Sequence, residues 1–271
     1  MYIRKEWIQK SEFHPYASEE VLLRVIDRVK ATVDQKKIPI VVFDLDSTLF
    51  DVSARSFEIL LEWISHPETE NFQDTHLGLR DLKMKDLKYS LEELWDEKKI
   101  PTATPPFNHQ FKHVKQFWRK RFFSNEYLAK DIPISGAVNY VRLLHELGAH
   151  IVYLTGRDVP SMAFGTFDQL KMHGLPIEIE RSRLLLKPKR HHDDTEFKTQ
   201  AAKTISEWGE VVASFENEPK NLVAMSKEFS RETMNIFMET VSSDHPAPVG
   251  TSLYRILEFQ VQAQAQVKER T

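Results

Sequence analysis

The chain has no cysteine. Disulfides, thiolate nucleophiles and cysteine-held zinc are therefore all excluded. Glycine is scarce, 8 in 271 residues, and no low-complexity tract or glycine-rich linker is present. No apolar run approaches the roughly 20 residues needed to span a bilayer. The opening stretch, Met1-Tyr2-Ile3-Arg4-Lys5-Glu6-Trp7, carries charge where a signal peptide needs an apolar region. A strong net charge is missing as well: 37 Lys and Arg against 40 Asp and Glu leave −3, so no global basic field invites nucleic acid. The expectation is a soluble cytoplasmic protein with neither nucleic-acid nor membrane partners, long enough to bury a sizeable core. The sequence does not speak to its oligomeric state.

What is present is organised around Ile38-Pro39-Ile40-Val41-Val42-Phe43-Asp44-Leu45-Asp46-Ser47-Thr48-Leu49-Phe50-Asp51. Its first half is a short, β-branched apolar run of the kind buried on both faces of a parallel sheet. Two carboxylates and two hydroxyls follow where that strand would end. Ligands of open α/β sheets bind beyond the carboxyl ends of the strands, which makes Asp44 and Asp46 candidates for chemistry.

A helix over residues 18–35, with Ser18 placed to cap it and Val21, Leu22, Val25, Ile26, Val29 and Val33 at helical spacing, leads into this strand. From Ile134 the pattern alternates again. A helix stops at Gly148, His150–Leu154 is a strand, a helix runs to Gly174, Arg183–Leu186 is a short strand, and Thr195–Trp208 is helical. Val211–Phe215 and Met234–Glu239 read as further strands, and Thr251–Thr271 as a closing helix. Such alternation predicts a three-layer α/β sandwich, Rossmann-like, with a parallel central sheet.

Residues 52–130 interrupt the pattern. Ser53–His66 puts Phe57, Leu60, Leu61 and Ile64 on one face, Ser90 and Glu93 have capping-box spacing, and Pro101–Pro106 breaks the chain before an amphipathic helix near Asn108–Phe123. That last helix has a dry face of Val114, Phe117, Trp118 and Phe122 and a wet one of Lys112, Lys115, Arg119, Lys120 and Arg121. The expected division is an α/β core of residues 1–51 and 131–271 with an inserted α-helical cap of 52–130.

Three strands thus end in polar groups: Asp44 and Asp46, Thr155, and Glu216 with Asn217. In a parallel sheet they lie on one edge. With Asp44-Leu45-Asp46-Ser47-Thr48, then Leu154-Thr155-Gly156-Arg157, then Lys198 on a helix, then Glu216-Asn217-Glu218, the chain resembles the haloacid dehalogenase (HAD) superfamily. Its four motifs are D-x-D-x-[ST], a strand-end Ser or Thr, a lysine and an acidic cluster. The resemblance implies a phosphatase in which Asp44 is the nucleophile and Asp46 the general acid and base. Asp46 would be kept protonated by its neighbours in the resting site. Phosphate would be bound by backbone N–H groups near Leu45 and Asp46 together with Thr155, Gly156 and Lys198. The cofactor implied is Mg²⁺, held by Asp44, the Asp46 carbonyl, Glu216 and Asn217. Lys187 competes with Lys198 for the third motif, and Glu218 with Glu216 for the fourth. The family usually has Asp where this chain has Glu216. The second Asp, Asp46, favours phosphoryl transfer over carbon–halogen cleavage, and the cap favours a small phosphorylated metabolite. A phosphomutase or phosphotransferase using the same residues, and a retired binding module on the same scaffold, are the alternatives. His191-His192-Asp193-Asp194 reads as a solvated loop.

Overall fold

The computed structural model describes residues 12–70, 72–100, 107–243 and 252–261. Strand β1 (Glu12–Phe13) and helix α1 (Ser18–Asp34) precede the central strand β2 (Pro39–Phe43), which the short β3 (Phe50–Asp51) follows. Then come α2 (Ser53–Ser65), α3 (Gln73–Leu79), α4 (Leu91–Glu97) and α5 (Phe107–Phe122). Strand β4 (Ile132–Pro133) and helix α6 (Ala137–Glu146) return the chain to β5 (His150–Asp158), α7 (Val159–Met172), β6 (Ser182–Lys187) and α8 (Asp194–Ser206). Strand β7 (Glu210–Glu216), helix α9 (Pro219–Ser226), β8 (Met234–Met238) and β9 (Ser252–Ile256) complete the described order.

The described strands form a seven-stranded sheet in the order β1-β9-β8-β7-β2-β5-β6, and every neighbouring pair is parallel. Strand β2 is buried on both faces because its side chains alternate between two cores. Val41 and Phe43 join α1 and α6 through Val25, Val29, Val141 and Leu144. Ile40 and Val42 join α8 and α9 through Ala202, Ile205 and Met225. This is the three-layer, Rossmann-like α/β arrangement that the alternation predicts. Since β5 and β7 flank β2, Asp44, Thr155 and Glu216 come side by side, although β5 does not end at Leu154 as expected but continues to Asp158 with a register shift after Thr155. Gly148 terminates α6 at φ +100°, a left-handed conformation that a side chain would strain.

Helices α2 to α5 bury a separate apolar cluster, with Leu60, Trp63, Leu79, Leu94, Trp95 and Val114 at its centre. The antiparallel pair β3–β4 brackets them, Phe50 opposite Pro133 and Asp51 opposite Ile132. Two-residue strands have no readable alternation, and this ribbon escaped the sequence pattern.

Three local expectations are corrected. Residues 252–256 form β9, parallel to β8, instead of the start of a helix. Leu253 and Ile256 mimic helical spacing, yet both are buried in a sheet; residues 262–271 lie outside the described part, as does the Pro101–Pro106 break. Ser18 does not cap α1: the cap position is Ala17, and the Ser18 hydroxyl accepts from the backbone N–H of Leu257. On α2, Leu61 faces solvent while Ile59 and Trp63 are fully buried.

Candidate active site

The end of β2 is shaped by a tight turn. The Leu45 carbonyl accepts from the N–H groups of Thr48, Leu49 and Phe50, and Ser47 N–H donates to Phe50 O at 2.7 Å. Ser47 sits at φ +60°, a left-handed conformation costing a non-glycine residue on the order of 1 kcal/mol or more. The Thr240 hydroxyl holds its carbonyl. This turn leaves the Leu45 side chain in the core and brings Asp44 and Asp46 onto one cavity.

That cavity, about 390 Å³, is lined by Asp44, Asp46, Thr155, Gly156, Arg157, Lys198, Glu216, Asn217 and Glu218 from the sheet side. From the helical insertion Tyr89, Lys115, Trp118, Phe122 and Phe123 complete it. Apart from Leu45 and the rival Lys187, every residue singled out in the sequence for the site lines it. A larger hollow elsewhere, about 590 Å³, contains none of the four motifs.

Asp44 is buried, and each of its oxygens has a partner. Lys198 Nζ donates to Oδ1 at 2.7 Å and the Thr48 hydroxyl to Oδ2 at 3.0 Å. Lys198, placed one turn into α8, also donates to Glu216 Oε2 at 2.6 Å. Burial alone would lower Lys198, but Asp44 and Glu216 beside it hold its ammonium above the ordinary lysine value. Burial pushes Asp44 up, with Lys198 opposing. Glu216 is pushed up to about 8, first by burial and then by the charge of Asp44. Asn217 is fixed at both ends: its carbonyl accepts from Thr48 at 3.2 Å and its amide donates to Val241 O at 2.6 Å.

Of the rival residues, Lys187 sits apart from this centre, while Glu218 lines the same cavity and its N–H donates to Glu216 Oε1 at 3.0 Å. Lys187 pairs with Asp194, and Glu218 accepts from the Ser243 hydroxyl and N–H. Asp194 also lies so close over Gly156 that a Cβ there would come within 2.7 Å of its carboxylate. The bare backbone of Gly156 is what admits it. His191, His192, Asp193 and Asp194 are exposed, as the loop reading expects.

Asp46 has different company. Its Oδ1 accepts from Arg55 at 2.9 Å and from Arg157 Nε at 3.0 Å. Both arginines continue to Asp131: Arg55 with two bonds of 2.7 Å, Arg157 with one of 3.0 Å. Gln169 accepts from Arg157 at 2.7 Å and donates to Asp131 at 3.0 Å. Burial would raise Asp46, but Arg157 and Arg55 hold it well below the usual carboxylate range. The two arginines thus favour the charged form of Asp46, the opposite direction from the protonated form the resemblance implies. Arg55, Asp131 and Gln169 were not singled out from the sequence. A signal existed for Arg55, a charge in line with Ile59 and Trp63 on the otherwise apolar stripe of α2.

The model of the haloacid dehalogenase-like hydrolases matches residues 38–216. The chain belongs to that family. The matched segment, about two thirds of the chain, begins at the strand leading to Asp44 and ends on Glu216, and a hydrolase is the enzyme class of this HAD chain. Among curated proteins none matches it in sequence. Solved structures share its fold at low identity. Protein Tyrosine Kinase A of Mycobacterium tuberculosis is 12% identical with a TM-score of 0.52, over 86% of this chain and 98% of that one. A Clostridium difficile protein provisionally assigned as a phosphatase is 12% identical with a TM-score of 0.51, over 82% and 94%. The class C acid phosphatase of Bacillus anthracis is 14% identical with a TM-score of 0.37; the match covers 74% of this chain and 63% of that protein's length. At such identity the first two of these likenesses concern the fold of the HAD chain alone. Among its described residues no helix is long and apolar enough to cross a membrane.

Proposed function

We propose that this chain is a Mg²⁺-dependent phosphatase that hydrolyses small phosphate monoesters through an aspartyl-phosphate on Asp44. The observation that carries the reading is the Asp44 carboxylate, buried at the end of the central strand, open to the cavity and oriented by Thr48 and Lys198. An oriented carboxylate beside a cation is what in-line attack on phosphorus needs.

In the first step an Asp44 oxygen bonds to phosphorus as the ester P–O bond breaks. The leaving group takes that electron pair. Thr155, Lys198 and the backbone N–H groups around Leu45, Asp46 and Gly156 surround the phosphoryl oxygens. In the second step water attacks the same phosphorus, its proton passes to Asp46, and the bond to Asp44 breaks. Asp46 as a carboxylate is already in the form that accepts this proton, a contribution of about 10²–10⁴-fold. It therefore acts first as a base, and the proton it takes up is the one it gives to the leaving alkoxide of the next turnover.

The donor set fits Mg²⁺. Among the described residues no three His, Cys, Asp or Glu side chains cluster as a metal site. Mg²⁺, however, commonly uses only one or two carboxylates and keeps waters. Two buried carboxylates, Asp44 and Glu216, share one lysine, and the high position of Glu216 marks the deficit of positive charge. Asp44, Glu216 and the Asp46 carbonyl would hold the ion, with Asn217 tied beside them. When bound, it would offset the repulsion between a phosphate dianion and Asp44. Residues 52–130 act as the cap, covering the site and limiting it to small substrates.

Phosphate release from a metabolite panel, with Mg²⁺ and with EDTA, tests this. Release that depends on Mg²⁺ and vanishes in Asp44→Asn is expected; equal release from Asp44→Asn would sink the mechanism.

A further inference from the structure

The insertion's wall of the cavity is aromatic. Trp118 and Phe122 stack with centroids 4.4 Å apart, and Phe123 meets them edge-on at 6.1 and 5.0 Å. All three line the cavity that holds Asp44.

Each ring is fixed by a second contact. The Arg55 guanidinium lies 4.2 Å from the Phe122 ring centroid and donates to the Phe122 carbonyl at 2.9 Å. Trp118 Nε1 donates to the Ser56 hydroxyl at 3.1 Å. The Arg190 guanidinium lies 4.6 Å from the Phe123 centroid. Rings held this way present flat, polarisable surface whose ordering is already in place before a ligand arrives.

The insertion also brings Lys88, Glu92 and Lys115 to the cavity, where Lys115 pairs with Glu92 and Lys88 with Glu97; the groups that would hold phosphate, Thr155 and Lys198 beside Asp44, are on the sheet side. A phosphate seated there directs the rest of its ester toward the insertion. We propose that the ester this site takes carries a planar aromatic ring in its leaving group, packed against Trp118 and Phe123. The proposal rests on the phosphatase reading for the position of the phosphate. A cavity of about 390 Å³ is at the small end of the ligand-pocket range of about 300–1,000 Å³, enough for one ring system beside a phosphate. Phe122 is buried behind Trp118 and Arg55, so the half-buried rings of Trp118 and Phe123 are the surface a polyol phosphate would leave unmatched, which is the physical basis for discrimination.

The test separates binding from turnover. Calorimetric titration of the full chain with Mg²⁺ compares phenylphosphonate with methylphosphonate, neither of which can be hydrolysed as an ester. Phe123→Leu keeps apolar bulk without a ring, Trp118→Leu removes a second ring, and Phe123→Tyr keeps the ring. The expected result is about tenfold tighter binding of phenylphosphonate in wild type and Phe123→Tyr, with that ratio falling to about twofold in both leucine variants. Equal affinity for the two phosphonates, a ratio unchanged in both leucine variants, or no binding of either overturns the proposal. Turnover of phenyl phosphate, glycerol 3-phosphate and acetyl phosphate is then measured. A preserved ring preference with no phosphate released from any of them would overturn the phosphatase reading while the ring-binding wall stood.

Discussion

Asp44 and Asp46 are two residues apart on one turn, and both belong to buried charge clusters, yet the clusters are counted differently. Around Asp44 the described residues set two carboxylates, its own and that of Glu216, against the single ammonium of Lys198. Around Asp46 two carboxylates, its own and that of Asp131, face the guanidiniums of Arg55 and Arg157. Asp44 and Glu216 are buried whereas Asp46 keeps 31% of its side chain exposed, so exposure and the number of cations act in the same direction. The first cluster is one positive charge short and Glu216 rises to about 8; the second is balanced and Asp46 stays ionised. On the proposed reading the unbalanced cluster suits an incoming cation and substrate, whereas the balanced one orients Asp46.

Substitutions can break this contrast, and the largest effect is expected at Asp44. Asp44→Asn should lower phosphate release by about a thousandfold or more while leaving the fold intact, since it deletes the attacking oxygen. Circular dichroism beside the assay checks both halves of that statement. In the balanced cluster the damage should fall on stability. Arg55→Met leaves buried carboxylates short of a partner, and a loss of about 3–5 kcal/mol is expected, read from urea unfolding. Adding Asp131→Asn should return part of it; a double variant no better than the sum of the single ones would mean that the pair does not act together.

The unbalanced cluster should show itself through pH. Without Mg²⁺, a Glu216 raised from the ordinary glutamate value to about 8 contributes stability that is complete below about pH 4.5. That contribution is lost as the pH rises through about 8. The Mg²⁺-free melting temperature should accordingly fall across this window, and Glu216→Gln should flatten the slope. Because the ion needs the carboxylate, its stabilising effect should be larger at pH 8.5 than at pH 6. The smallest effect lies away from both clusters. Ser90 accepts from Glu93 N–H at 3.2 Å at the start of α4, and Ser90→Ala should cost about 1 kcal/mol, detectable as faster hydrogen exchange confined to the insertion.

How much of this was legible in the sequence follows from how local each feature is. Strands β2, β5 and β7 announce themselves because burial on both faces demands continuous apolar runs, and the polar residue closing each run marks the sheet edge. Lys198 and Glu216 reach Asp44 through the order of those strands alone. The partners of Asp46 do not: Arg55 lies 9 residues away and Arg157 111 residues away, on elements whose mutual approach no periodicity encodes. With those arginines unplaced, a protonated Asp46 was the natural expectation from the resemblance. Strand β9 was misread because Leu253, Ile256 and Leu257 satisfy helical spacing, while the parallel partner that makes it a strand is supplied by β8.

Arg55 also has a mechanical meaning. It leaves α2 two residues past the start of that helix, beyond the β3–β4 ribbon, and fastens to Asp46, to Asp131 and to the carbonyl that ends α5. The helical insertion is thus riveted to the sheet at the point nearest its own hinge. A rivet so close to the pivot has a short lever arm: it fixes the root of α2 firmly and resists rotation of the far helices only weakly. At the other side of the cavity the loop carrying Tyr89 makes a tie of its own, a hydrogen bond between Tyr89 and Ser243, so the insertion is held at both rims of the cavity.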